Sequence, residues 1–143
     1  MDTVLARLAA LRPVFHSEAD FQQAFAWEVR MQDPTVRVRL ETRPAPGMRL
    51  DLLLTSEDGL RRTAVELKYR TRLWTGESAG ERFELKDQGA QDIRAHDVVK
   101  DIVRVEEFVA AMPGSNGAVI CVGNDAFRDR TTPRSTSSVR MSA

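Results

Sequence analysis

Arg49-Leu50-Asp51-Leu52-Leu53-Leu54, the connection Ser56-Glu57-Asp58-Gly59, and Thr63-Ala64-Val65-Glu66-Leu67-Lys68 form two apolar runs, each interrupted by charge, on either side of a tight turn. Asp-Gly between strand-like runs is a strong hairpin signal, because Gly accepts the positive φ that short hairpin turns require. Side chains alternate across a strand, so Glu66 and Lys68 share one face while Val65 and Leu67 point to the other. By the same rule Leu50, Leu52 and Leu54 oppose Asp51. Asp51, Glu66 and Lys68 are thereby expected to converge on one sheet surface. Taken singly, each has a plain reading: a turn-proximal aspartate, and a solvated cross-strand pair. Taken together among apolar neighbours they imply central positions, where an unpartnered charge costs roughly several kcal/mol. A divalent cation would supply the missing partner, and hard carboxylate oxygens suit Mg²⁺ or Mn²⁺.

Outward from this hairpin, the chain alternates between the two periodicities. Ser17-Glu18-Ala19-Asp20 has the form of a helix N-cap with an acid three positions on, ahead of an apolar series at Phe21, Ala24, Phe25 and Val29. That helix should end near Asp33-Pro34. Residues 35–42 alternate Val36, Val38 and Leu40 with Arg37, Arg39 and Glu41, the period-two pattern of a strand with one solvated face. Pro44-Ala45-Pro46-Gly47 then forces a turn. Within residues 84–112, Val98, Ile102, Val105, Val109 and Met112 recur at helical spacing, and Pro113-Gly114 stops the helix. The segment 73–83, which contains Trp74, is expected to be a Gly-rich loop. Ala118-Val119-Ile120-Cys121-Val122 reads as a buried strand. The sum is an α/β chain of order α-β-β-β-α-β, with a mixed central sheet flanked by helices.

Residues 1–16 are expected to form an extra packing helix, 17–123 the main domain, and 124–143 a disordered or truncated tail rich in Ser, Thr and Arg. The apolar run near the N-terminus is too short, and too broken by Arg7, for a membrane span. A single cysteine, Cys121, leaves no intrachain disulfide or zinc cluster and suits a reducing cytoplasm. With His16 and His96 the only histidines, Ser-His or Cys-His catalysis has little support. Net charge is formally zero, but its distribution is uneven. Residues 35–72 carry nine basic and five acidic side chains, and residues 77–107 carry nine acidic and five basic. A basic strand face bearing Arg37 and Arg39 would attract phosphate; the alternative is an arginine-solvated surface.

On Asp51 and Glu66-Leu67-Lys68, and on the order of elements over roughly residues 17–122, the chain resembles the PD-(D/E)xK nuclease superfamily, with Leu50 standing where the namesake proline would be. The resemblance implies a restriction-endonuclease-like core and Mg²⁺-dependent (or Mn²⁺-dependent) hydrolysis of phosphodiester bonds, DNA foremost. It implies that Asp51, Glu66 and the backbone carbonyl of Leu67 hold the metal, with Lys68 orienting water or neutralising charge. Glu18 would be the further acid that such proteins supply from the first helix, or else a stabiliser of that helix's positive end; Glu28 is the second candidate. Gln88 and Gln91 resemble the glutamine-bearing helix of RecB-like members and would contact substrate, although Ala95 stands where those members place a tyrosine. Restriction, repair and mobile-element or phage defence all use this core. The rival reading is a catalytically inactive module on the same fold that binds nucleic acid or protein, and a homodimer or partner protein stays open.

Overall fold

The computed structural model describes residues 1–87, 91–124 and 138–141, of which 91–95 and 138–141 as backbone only. Helices α1 (Asp2–Leu11) and α2 (Glu18–Gln32) precede strands β1 (Arg37–Thr42), β2 (Leu50–Thr55) and β3 (Arg62–Arg70). A hairpin of β4 (Trp74–Ser78) and β5 (Glu81–Leu85) leads to α3 (Gln91–Ala111), β6 (Ser115–Gly123) and β7 (Ser138–Met141). The main sheet has the order β1-β2-β3-β6-β7. It is mixed: β3 and β6 run parallel, and the other neighbours are antiparallel. The parallel pair follows from α3, which carries the chain back across the sheet before β6 begins.

α2 starts where its cap predicts. Ser17 Oγ accepts from the Asp20 N–H at 3.1 Å, and Asp20 Oδ2 accepts from the His16 N–H at 2.9 Å, so the first turn is closed by side chains on both sides. The α2 face of the sheet buries Leu52, Val65, Leu67, Tyr69 and Ile120 against Phe21, Phe25 and Val29, with Val4 and Leu8 of α1 in the same cluster. The opposite face packs Leu50, Ala64 and Val119 against Val105 and Phe108 of α3. Gly117 lets α3 lie close to β6, since a Cβ there would overlap the Val105 side chain. Phe108 is fully buried, and its truncation to Ala would cost about 3–5 kcal/mol.

The structure departs from the sequence pattern in three places. First, strict alternation fails in β2. Leu52 and Leu54 pack on the α2 face, but Leu50 joins the α3 cluster, so the strand turns over at Asp51. Its counterpart in β1 is Glu41, which lies between the pairs Leu40↔Leu52 and Thr42↔Leu50 and has φ +50°. A non-glycine residue in that region is strained and is held there by its surroundings. Second, the expected loop around Trp74 is the β4–β5 hairpin. Trp74 and Phe83 lie against Val14 and Leu85 in one apolar cluster, and His16, just before α2, stacks on Phe83. Residues 84–85, expected at the start of the long helix, belong to β5, and Gln88 lies outside the described residues. Third, the expected tail, 124–143, falls mostly outside the described residues, but Ser138–Met141 within it pairs with β6 as an edge strand.

Candidate functional site

The β2–β3 ladder runs from Thr55↔Arg62 to Leu52↔Val65 and stops there. Beyond Val65, β3 continues along β6 as far as Arg70↔Gly123, so among the described residues its other edge is left without a strand. Carboxylates take the place of that strand. The Leu67 N–H donates to Asp51 Oδ2 at 2.8 Å, and the Tyr69 N–H donates to Glu18 Oε2 at 3.1 Å. N–H and C=O of one strand residue point to the same side, so the Leu67 carbonyl also faces Asp51, past the last β2–β3 pair. The main chain of Asp51 is tied to α2, because Gln22 Nε2 donates to its carbonyl at 2.8 Å and to Glu41 Oε1 at 3.2 Å. Arg49 Nε in turn donates to Glu41 Oε2 at 2.8 Å.

On the α3 side of the sheet, Asp51, Glu66 and Lys68 line an open cleft of about 320 Å³ with Arg49, Asp97, Lys100, Asp101 and Arg104. The three sequence-predicted residues are therefore brought to one place. Glu66 is 1% exposed, and its Oε1 makes no hydrogen bond. Its Oε2 accepts from Arg104 Nη1 at 2.8 Å. Burial, then the nearby Asp51 charge, pushes the Glu66 carboxyl up to about 8, only partly opposed by Arg104. Lys68 Nζ sits 3.6 Å from Glu18 Oε1 and 3.4 Å from Asp101 Oδ2. Burial alone would lower the Lys68 ammonium, but Glu18, Asp101 and Asp51 together outweigh it and the net direction is up. Lys68 is thus held as a cation.

Of the other sequence-predicted residues, Glu18 reaches Lys68 at the cleft and Glu28 does not. Glu28 is buried against Arg7 at 3.1 Å and accepts from Gln32 Nε2 at 3.0 Å, tying α2 to α1. Arg37 and Arg39 lie on exposed faces of the edge strand β1, Arg37 level with Thr55 at the far end of β2. Gln91 opens α3 with its side chain outside the description. Two residues absent from the sequence reading complete the site. Asp101, 4% exposed, and Arg104 join Glu66 and Lys68 in one ion-pair chain. The signal that would find Asp101 is its place four before Val105 and seven before Phe108, inside the apolar stripe of α3, where a carboxylate needs a partner.

Hard oxygen donors, two of them carboxylates, fit a divalent ion that keeps several waters. Among the described residues, no group of three or more His, Cys, Asp or Glu side chains stands at metal-binding spacing. Likewise no described helix is long and apolar enough to cross a membrane. No family model matches the chain, and no curated protein and no solved structure matches it.

Proposed function

We propose that the chain is a restriction-endonuclease-like, Mg²⁺- or Mn²⁺-dependent phosphodiesterase acting on nucleic acid, DNA foremost. The observation that carries the reading is the conjunction at the open edge of β3: Asp51 and Glu66 in one cleft with Lys68, where Glu66 Oε1 is buried without a hydrogen bond. A carboxylate held near 8 by burial and by a neighbouring acid gains most from a cation.

Asp51, Glu66 and the Leu67 carbonyl are the groups that would hold the ion. When bound, a divalent cation polarises a phosphoryl oxygen and lowers the pKa of attached water. The remaining work falls to the chain's own residues. The Leu67 N–H fixes one Asp51 oxygen and leaves the other for the cleft. Lys68, kept as an ammonium by Glu18 and Asp101, is suited to orienting water and neutralising developing negative charge, and unsuited to acting as a base. Arg49 and Lys100 at the cleft lining give incoming phosphate its positive rim.

The test is cleavage of plasmid, linear duplex and single-stranded substrates with Mg²⁺ or Mn²⁺. Asp51→Ala and Lys68→Ala should each abolish it while the far-UV spectrum is retained. Equal cleavage by wild type and Asp51→Ala would remove the site from consideration.

One observation favours the rival reading of a non-catalytic binding module: Arg104 already pairs with Glu66 from within the chain. Such a module binds nucleic acid without divalent ions, and Asp51→Ala leaves that binding unchanged.

A further inference from the structure

Arg104 Nη1 donates to Glu66 Oε2 at 2.8 Å and to Asp101 Oδ1 at 3.1 Å, so one cationic nitrogen is held between a carboxylate of β3 and a carboxylate of α3. The second oxygen of each acid, Glu66 Oε1 and Asp101 Oδ2, is buried and makes no hydrogen bond. Both acids are more than nine-tenths buried and line the same cleft. A single nitrogen thus satisfies one oxygen of each; Asp101 Oδ2 keeps the Lys68 ammonium at 3.4 Å, whereas Glu66 Oε1 is left without a donor among the described residues, which costs free energy in a low-dielectric site.

We propose that the place of Arg104 Nη1 is a cation position in which Asp101 is a divalent-metal ligand alongside Glu66, and that Arg104 is the internal cation a metal displaces. The inference rests on the phosphodiesterase reading and adds to it one ligand and one competitor. A small divalent ion puts twice the charge at the same point and carries its own waters, which can reach the oxygens a planar guanidinium leaves unmet. Arg104 has somewhere to go. Its side chain is 35% exposed and lines two clefts: the acidic one, and a neighbouring groove formed with Pro46, Met48, Val99 and Val103. Displaced toward that groove, the guanidinium stands at the rim of the acidic cleft, where a phosphate group would arrive.

Mn²⁺ titrations followed by calorimetry and by electron paramagnetic resonance test this on the full chain. Removing the competing cation in Arg104→Met should tighten Mn²⁺ binding at least about tenfold, because unit charges this close interact strongly. Asp101→Asn should weaken it by about tenfold. If wild type binds Mn²⁺ and neither variant changes the affinity, the inference is overturned and the phosphodiesterase reading stands. If neither wild type nor Arg104→Met binds, both fall. Because Arg104→Met leaves the buried Glu66 without its ion-pair partner and can unfold, a second measurement uses the unaltered protein. In ¹⁵N-arginine-labelled wild type, the Arg104 Nε–H resonance, assigned by its loss in Arg104→Lys, should move on addition of Mg²⁺. A stationary Arg104 signal at saturating Mg²⁺ overturns the displacement.

Discussion

The two halves of β3 are built by different rules. From Arg62 to Val65 the strand lies between β2 and β6, with main-chain ladders on both sides. From Glu66 to Arg70 it keeps, among the described residues, only β6, and the vacated edge is taken over by the side chains of Asp51 and Glu18. The first half places Ala64 and Val65 in the two apolar cores, fully buried on both faces. The second half still buries Leu67 and Tyr69 on the α2 side, but on the α3 side it presents Glu66 and Lys68 to a charged cleft. The contrast shows how a sheet makes room for a charged cleft. Ending one ladder early frees a row of backbone groups, and the acids that satisfy them are thereby fixed in orientation beside the cleft.

The largest expected effect lies in the second half. Asp51→Asn keeps an oxygen able to accept from the Leu67 N–H and removes the charge that opposes Glu66. Cleavage should fall by about a thousandfold or more, as when a major transition-state group is lost, while the urea midpoint stays the same or rises. A drop in both would mean that Asp51 is only a structural strap.

The complementary substitution belongs to the doubly paired region. Leu52→Ala empties a fully buried site opposite Val65 and should cost about 2–5 kcal/mol, read from chemical denaturation. Cleavage per folded molecule should change far less than in Asp51→Asn. Comparable loss of specific activity in the two variants would erase the distinction between the halves.

Acidity sharpens the comparison further. The Glu66 carboxyl lies near 8 in the folded chain against 4.5 unperturbed, so between those values the folded state holds a proton that the unfolded chain has released. Its contribution to stability is therefore full below about 4.5 and is lost as pH rises through about 8. Asp33 and Asp58 shift the opposite way, through hydrogen bonds to Thr35 and Ser56, and act only at the acid end. Thermal midpoints taken without divalent ions should decline from pH 5 to 8.5, and Glu66→Gln should flatten that decline. A slope unaltered by Glu66→Gln would place its origin elsewhere.

The smallest effect tests the edge cover at α2. Ser17→Ala removes the acceptor for the Asp20 N–H and should cost about 1 kcal/mol of stability. Because Glu18 is the next residue and accepts from Tyr69, amide exchange at Tyr69 should quicken more than exchange at Val65. Equal acceleration at both amides would show that the two halves open together.

Residue pattern alone determined the helix and strands over residues 17–70, the long helix and the strand that follows it, the Ser17 cap, the turn at Gly59, and the meeting of Asp51, Glu66 and Lys68, because each rests on local geometry: a period of two, a period of 3.6, or the φ a glycine permits. It also put Glu18 ahead of Glu28, without the geometry that separates them. That choice needed the crossing of α2 over the sheet, which carries Glu18 to the open edge of β3 and Glu28 to Arg7. Tertiary structure alone decided where the β2–β3 ladder ends, since hydrogen-bond pairing depends on how far two strands splay, and composition carries no record of splay. It also turned Leu50 to the α3 face and put a hairpin where residues 73–83 read as a loop. Above all it recruited Asp101 and Arg104. A helical period gives the direction of a side chain around its axis but not the partner it meets, and Arg104 acquires its role only where α3 brings it against a glutamate 38 positions earlier on β3.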